Sequence, residues 1–152
     1  EADALLVEYI APLVEEARAL GVERWFFIRY ADPDPHIRVR FMGDPKMLWG
    51  QLVPLMHERL APWLARRAAV SGRGLELATY VREIERYGGS ATITKVERSF
   101  EIDSDGCLED LAALRYAPDA DVQRLDNAKA AWARILGGLP ASTVESILHS
   151  FS

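Results

Sequence analysis

Apolar side chains recur at helical spacing in the first twenty residues, "EADALLVEYIAPLVEEARAL". Residues three and four apart share one face of a helix, so this stretch predicts a helix with one apolar stripe. Gly21 follows directly and is typical of a helix C-terminus. Pro12 is expected either to kink this helix or to lie in its true first turn. The stripe consists of Leu5, Leu6, Tyr9, Ile10, Leu13 and Val14.

The pattern then changes to the alternating spacing of β-strands. "ERWFFIRY" is rich in aromatic residues, and "HIRVRF" alternates between charged and apolar positions. The intervening "ADPDP" holds two prolines, which cannot continue a central strand and favour a rigid turn. We therefore expect an antiparallel hairpin with His36, Arg38 and Arg40 on one face. The opposite face would carry Ile37, Val39 and Phe41.

"GDPKMLWGQLVPLMHERLAPWLARRA" predicts a second helix, with Asp44 as its N-cap and Pro45 at the first helical position. Pro54 and Pro62 are expected to kink or divide this helix. "GRGLELATYVRE" predicts a third strand that begins after Gly74, and "RYGG" ends it.

The C-terminal half favours helices. "SATITKVERSF" contains β-branched residues, but Ser90 as a cap favours a helix towards Phe100. A further helix is expected around residues 108–114, followed by "DADVQRLDNAKAAWARILGG" and by "PASTVESILHSF", which begins a last helix. The cap of the helix around 108–114 would be Asp103, Ser104 or Asp105.

This order of elements predicts an α+β fold: a small, mainly antiparallel sheet with helices packed on it and a helical C-terminal half. The sequence shows no repeat, low-complexity tract or linker, so we expect a single domain over residues 1–152.

Composition narrows the class of partner. A net charge of −5 makes nucleic acid a poor default partner, and no apolar run approaches the roughly 20 residues of a membrane span. Cys107 is the single cysteine, which excludes an internal disulfide framework and fits a reducing cytoplasm. Of the 18 basic residues, three are lysines, which leaves 15 arginines. A GC-rich genome explains this bias, but so does planar recognition of carboxylate or phosphate.

The first candidate site is the row of His36, Arg38 and Arg40 on the second strand. A charged strand face is ordinarily the side that meets water. However, like charges two residues apart repel unless an anion lies between them, and guanidinium groups are strong planar donors. Arg29 on the first strand could add another donor.

The second candidate site is "TYVREIERYGG", where Glu83 and Arg86 are three residues apart. Such a pair is also what a self-neutralising surface turn would show. Alternatively, Glu83 could orient an arginine of the hairpin or accept a proton, and Tyr87 would lie beside a tight bend allowed by two glycines. His57 and His149 are expected to be structural. No metal-ligand spacing, P-loop, GxSxG or GxGxxG is present, and we expect no cofactor.

Together, "RWFFIRYADPDPHIRVRF", "TYVREIERYGG" and "ERSFEIDSD" resemble the C-terminal domain of class I lantibiotic dehydratases. The same domain occurs as separate small proteins of thiopeptide biosynthesis. The resemblance implies a lyase that acts after a glutamyl-tRNA-dependent partner enzyme has glutamylated Ser and Thr of a precursor peptide. It would eliminate glutamate and leave dehydroalanine or dehydrobutyrine, in the cytoplasm, without binding nucleic acid or membrane, and as a possible homodimer.

The resemblance also implies site residues. Arg38, Arg40, Glu83 and Arg86 match the family's elimination site, and we add His36, Arg29 and Tyr87 as expected substrate contacts. The family has a further histidine in a segment reading roughly "HMHxNR", and this sequence ends at "ILHSFS", so His149 receives no catalytic role. The family's first strand also has no counterpart before "EADALL", so we expect truncation at both ends.

Two other functions stay open. Some diverged members of the family close a six-membered nitrogen ring in thiopeptides by cycloaddition between two dehydroalanines. Those members do not need the glutamate-binding residues, so the presence of the arginines and Glu83 favours elimination. The other alternative is a non-catalytic subunit that presents the precursor peptide to a partner.

Overall fold

The computed structural model describes the backbone of residues 2–71 and 74–137, and the side chains of residues 2–66 and 74–131. The chain divides into two compact units, one ending at Leu111 and the other beginning at Ala112. The first unit contains a two-stranded antiparallel sheet and three helical runs, which confirms the α+β prediction. A single domain over the whole chain stays a prediction.

The first helical run, α1, covers residues 2–20. It consists of α-helix Ala2–Leu5, π-helix Leu6–Ile10 and α-helix Ala11–Leu20. Gly21 ends it with a φ of 101°. In this left-handed conformation its N–H donates to the carbonyl of Arg18, which is why a residue without a Cβ is favoured there.

The hairpin is confirmed, with strand β1 at Arg24–Tyr30 and strand β2 at His36–Met42. The register pairs Phe26 with Arg40 and Ile28 with Arg38, so these four side chains share one face of the sheet. The opposite face carries the other alternate positions, Trp25, Phe27, Ile37, Val39 and Phe41.

The second helical run, α2, covers residues 45–71 and begins as predicted. One carboxylate oxygen of Asp44 accepts the backbone N–H groups of Lys46 and Met47 at 2.9 and 3.0 Å, and Pro45 occupies the first turn. The run consists of α-helix Pro45–Met47, π-helix Leu48–Leu52 and α-helix Val53–Ser71.

The prolines inside both runs do not break them. Each π-helical segment ends two residues before a proline, Pro12 in α1 and Pro54 in α2. A proline lacks the N–H of the α-helical ladder and its ring crowds the preceding turn, and a wider π-turn accommodates both. Pro62 lies within Val53–Ser71 and does not divide the helix. Of the two outcomes expected for it, a kink stays a prediction.

The predicted third strand is wrong. Residues 74–83 form no helix or strand, and within the described chain the sheet contains only β1 and β2. A strand pattern shows that side chains suit a sheet, but a strand also needs a neighbour whose backbone groups it can pair with. The glycine turn after it is as expected, with φ of 80° at Gly88 and 90° at Gly89.

The third helix, α3, runs without a break over Ile93–Ala113. Helix in this region is confirmed, but its division into two capped helices is wrong. Two of the three side chains expected to cap the second helix instead accept hydrogen bonds from elsewhere in the fold. Ser104 Oγ accepts the backbone N–H of Phe27 at 3.1 Å, and Asp105 accepts the Trp25 indole N–H at 3.1 Å. Helix α3 therefore joins β1 through its polar side chains.

In the second unit, helix α4 covers Ala120–Gly137, which confirms the amphipathic helix predicted there. Asp119 precedes it and accepts the backbone N–H of Gln123 through its carbonyl and the Gln123 side-chain amide through its carboxylate. The predicted last helix, "PASTVESILHSF", lies outside the described residues.

The core of the first unit lies between α1, α2, α3 and the Trp25 face of the hairpin. Burial of these side chains is the main favourable contribution to the fold. The fully or nearly buried side chains of this core are Leu6, Ile10, Leu13, Val14, Ala17, Trp25, Met47, Leu52, Met56, Leu60, Leu108 and Leu111.

None of the described helices is long and apolar enough to cross a membrane.

Candidate functional site

A cleft of about 240 Å³ opens on the face of the hairpin that bears the arginines. Its lining comes from the hairpin, from residues between 80 and 87, and from Phe100 of α3. This volume is below the roughly 300–1,000 Å³ of pockets for drug-sized ligands and suits a group the size of one amino acid. The lining residues are Phe26, Ile28, Tyr30, Arg40, Tyr80, Glu83, Arg86, Tyr87 and Phe100.

Arg40 is the half-buried cation of this cleft. Its guanidinium carbon lies 4.7 Å from the centre of the Tyr80 ring and 5.6 Å from that of Phe26. Its Nε is buried and has no hydrogen-bond partner among the described residues. Aromatic faces thus hold the cation at the cleft, which Arg40 lines.

Glu83 and Arg86 form an ion pair at the rim. Arg86 Nη1 donates to Glu83 Oε2 at 2.9 Å, and the side chains are 72% and 48% exposed, respectively. This hydrogen bond and the charge of Glu83 raise the pKa of Arg86. Glu83 thus accepts a hydrogen bond from Arg86 on its own turn. That it orients an arginine of the hairpin or accepts a proton stays a prediction. Because exposed ion pairs contribute little free energy, Glu83 and Arg86 can exchange each other for other partners at a small cost in free energy.

The glycine turn positions Tyr87 against the cleft. The Tyr87 ring meets Phe100 edge-on at 5.5 Å, and the Arg86 guanidinium lies 5.8 Å from its centre. The Thr92 hydroxyl donates to the Tyr87 carbonyl, which ties the turn to the start of α3. Tyr87 thus lines the cleft beside the glycine turn, and its contact with a substrate stays a prediction.

Arg38 and His36 lie on the same sheet face as Arg40 but do not line the cleft. His36 Nδ1 donates to the Asp34 carbonyl at 2.8 Å, and Arg38 Nε donates to His36 Nε2 at 3.1 Å. The two contacts together require the neutral ring with its proton on Nδ1. The Arg38 guanidinium lies 4.1 Å from the centre of the Tyr30 ring. Because Tyr30 lines the cleft, Arg38 is next to the cleft with Tyr30 between them.

Arg29 lies on the opposite face of the hairpin. It pairs with Ile37 in the register, and its Nη1 lies 2.7 Å from Asp3 Oδ1 of α1. The structure therefore does not bring Arg29 together with the other predicted site residues. His57 is exposed on α2, and His149 lies outside the described residues.

Sequence reasoning missed Tyr80 and the buried carboxylate behind it, Glu97. Burial raises the pKa of the Tyr80 hydroxyl, and the charge of Glu97 and a hydrogen bond to its side chain add to the rise. A signal for Glu97 existed in the sequence: polar residues occupy three places in the helical stripe of α3 that otherwise holds apolar residues. The buried stripe is Ile93, Glu97, Glu101, Ser104, Leu108 and Leu111.

The described residues contain no group of three His, Cys, Asp or Glu side chains that could hold a metal ion. The chemical capacity of the cleft therefore rests on its guanidinium groups, one exposed carboxylate and aromatic walls. Such a set can bind a carboxylate and can accept or direct a proton.

Comparison with known proteins gives a match over nearly the whole chain. Residues 1–150 match the family model described as "Lantibiotic biosynthesis dehydratase C-term". The chain is 39% identical over 85 residues to subtilin biosynthesis protein SpaB of Bacillus subtilis, covering 53% of this chain and 8% of that protein. It is 30% identical over 100 residues to nisin biosynthesis protein NisB of Lactococcus lactis subsp. lactis, covering 65% and 9%.

Two solved structures are similar. The tRNA-dependent lantibiotic dehydratase MibB from Microbispora sp. 107891 matches with a TM-score of 0.68 and 38% identity, over 77% of this chain and 11% of that one. TsrL matches with a TM-score of 0.52 and 25% identity, over 76% and 32%. The chain thus spans about a tenth of the length of SpaB, NisB and MibB.

Proposed function

Because this chain belongs to the family of lantibiotic biosynthesis dehydratase C-terminal domains, we propose that it eliminates glutamate from glutamylated Ser and Thr of a precursor peptide. The products are dehydroalanine and dehydrobutyrine in the peptide, together with free glutamate. The observation that carries the proposal is the cleft that Arg40 lines with its guanidinium on the Tyr80 ring, with the exposed Glu83–Arg86 pair at its rim.

The reaction sets the chemical demands on the site. A base removes the α-proton of the modified residue, a double bond forms between Cα and Cβ, and the Cβ–O bond breaks. The electron pair of that bond leaves on the carboxylate of glutamate. Negative charge therefore develops on the enolate oxygen and on the departing carboxylate, and both need cationic donors.

Arginines suit both positions, because they stay protonated and can hold a carboxylate with two N–H groups. Arg40 would bind a carboxylate of the glutamyl group inside the cleft, where its guanidinium already rests on aromatic rings. Arg38 adjoins this place across Tyr30 and would serve the enolate oxygen.

Glu83 would be the proton acceptor. Arg86 donates a hydrogen bond to the Glu83 carboxylate, and an incoming glutamyl carboxylate would compete for the same guanidinium. Exchange of Arg86 from Glu83 to the substrate would free the Glu83 carboxylate when a proton has to be taken. Tyr87 would contact the peptide beside Arg86.

The partners follow from this chemistry. The peptide must first be glutamylated by an enzyme that uses glutamyl-tRNA, so this chain would depend on such a partner and would itself meet only the peptide. A tRNA-dependent reaction would place both proteins in the cytoplasm.

The test expresses the precursor peptide with its glutamylating partner and with variants of this protein, and follows the peptide by mass spectrometry. Arg38→Ala and Arg86→Ala should each leave glutamyl adducts on the peptide, because the developing charges lose a donor. Glu83→Gln should have the same effect while the melting temperature stays close to that of the wild type.

Three outcomes would contradict the proposal. Full dehydration by both arginine variants would show that the site is assigned wrongly. A collapse of thermal stability in Glu83→Gln would mark this residue as structural. If the wild-type protein binds the peptide but never removes glutamate, a non-catalytic peptide-presenting role is correct.

A further inference from the structure

The carboxylate of Glu97 is fully buried on α3, directly behind the cleft. Arg82 donates to it through two nitrogens, Nε to Oε1 at 2.8 Å and Nη2 to Oε2 at 2.6 Å. Arg24 Nη1 adds a third contact to Oε2 at 3.3 Å. A buried charge is stable only when paired and hydrogen-bonded, so these contacts fix the position of Glu97 and of both arginines.

Tyr80 connects this ion cluster to the cleft. Tyr80 lies two residues before Arg82, which Glu97 holds through both of its carboxylate oxygens, and the Tyr80 ring is part of the cleft lining. The ring also meets Phe26 edge-on at 5.7 Å and carries the guanidinium of Arg40 on its face. Glu97 is therefore connected to Arg40 through Arg82, the short backbone segment that leads to Tyr80, and the Tyr80 ring.

We propose that Glu97 is a positioning residue of the cleft: by binding Arg82, it holds the neighbouring Tyr80, so that the Arg40 guanidinium stays on the Tyr80 ring, where it can meet an acidic acyl group. This inference rests on the proposed function, because it gives Arg40 the task of binding the glutamyl carboxylate. Glu97 itself does not line the cleft, so it acts through Tyr80 and does not touch the substrate.

The charges of the cluster fit an anionic ligand. Glu97 supplies one negative charge against the two positive charges of Arg24 and Arg82, and Arg40 adds another positive charge in the cleft. The wall behind the cleft therefore carries an excess of positive charge, which favours a carboxylate over a neutral group. Glu97 reduces this excess of positive charge and at the same time fixes the positions of the Arg24 and Arg82 guanidinium groups.

The test measures elimination from isolated glutamylated peptide in a single turnover, with the full chain in saturating excess. Under this condition the rate constant does not depend on how much protein is folded. Glu97→Gln should lower the rate constant by roughly 10- to 100-fold, since small misplacements of a binding group have effects of this order. Binding of the glutamylated peptide should weaken less than the rate.

Glu101→Gln is the matched control, because Glu101 is one turn further along the same helix and is also buried. Its partners are Arg98 and Arg18, which do not line the cleft. This variant should keep the wild-type rate constant. An equal loss in Glu97→Gln and Glu101→Gln, or no loss in Glu97→Gln, would overturn the inference while leaving the proposed function intact. A wild-type protein without elimination activity would overturn both.

Two variants of Tyr80 test the connection even if Glu97→Gln fails to fold. Tyr80→Phe keeps the ring under Arg40 and loses only the hydroxyl, so the rate constant should fall by only about a few-fold. Tyr80→Leu removes the ring, so the rate constant should fall by roughly 10-fold or more. Equal activity of Tyr80→Phe and Tyr80→Leu would show that the ring does not position Arg40.

Discussion

The guanidinium of Arg40 lies on the face of the Tyr80 ring, 4.7 Å from its centre, and its buried Nε has no hydrogen-bond partner among the described residues. A carboxylate partner would have occupied the donors that a substrate needs. An aromatic face instead contributes roughly 0.5–2 kcal/mol of attraction without using any N–H group. Arg40 is therefore held in place and still able to bind an anion.

The first prediction uses the shape of the Arg40 side chain. Arg40→Lys keeps the positive charge but loses the planar group that stacks on Tyr80 and grips a carboxylate with two donors. We expect elimination to slow by about 100-fold, the order seen when one donor to a developing negative charge is removed. Mass spectrometry should show glutamylated peptide accumulating in the presence of the partner enzyme.

Arg29→Lys is the control for this prediction. Arg29 lies on the same hairpin but on its opposite face, where it contacts Asp3. This variant should dehydrate the peptide as the wild type does. Wild-type turnover by Arg40→Lys would contradict the role of Arg40, and impaired turnover by Arg29→Lys would restore the substrate contact expected from sequence alone.

The second prediction concerns the attachment of α3 to β1. Ser104 is buried, and its hydroxyl accepts the backbone N–H of Phe27. Ser104→Ala removes the acceptor and leaves this N–H unsatisfied, which should lower the free energy of unfolding by about 1–3 kcal/mol. Urea unfolding would show this as a lower midpoint with an unchanged slope.

Ser99→Ala on the same helix is the matched control. The Ser99 hydroxyl is exposed and donates to the Lys95 carbonyl one turn back. Its loss should change stability by no more than about 0.5 kcal/mol. If both serine variants unfold at the same urea concentration, the bond between Ser104 and Phe27 contributes nothing measurable.

The hairpin, the N-cap at Asp44 and the helix end at Gly21 were predictable, because their signals are local. Strict alternation in "HIRVRF" predicts which side chains share a face, and Asp44 and Gly21 satisfy backbone groups within a few residues of themselves. Such patterns specify an element without reference to the rest of the chain.

The remaining features depend on residues that are distant in sequence. Ser104 looks like a helix cap until β1 supplies an N–H for it, and Glu97 looks exposed until Arg24 and Arg82 surround it. Residues 74–83 look like a strand, but pairing depends on a neighbour that the pattern does not name. The cleft itself was only half predicted, because Tyr80 carries no charge or motif that would mark it.

The third prediction is a pH dependence that arises from Tyr80. Its pKa in the folded protein is raised above the ordinary tyrosine value of about 10, by burial first and by Glu97 second. At pH values below the ordinary tyrosine pKa, Tyr80 is protonated in both the folded and unfolded states, so it adds no pH dependence to the free energy of unfolding. As the pH rises above about 10, the unfolded state releases this proton first, so stability falls until the folded pKa is passed. Urea midpoints measured across this pH range should fall less steeply for Tyr80→Phe than for the wild type. Tyr116→Phe is the control, because the Tyr116 side chain is 85% exposed, and its midpoints should decline as those of the wild type do. Equal slopes for Tyr80→Phe and the wild type would mean that the Tyr80 hydroxyl is not held against Glu97.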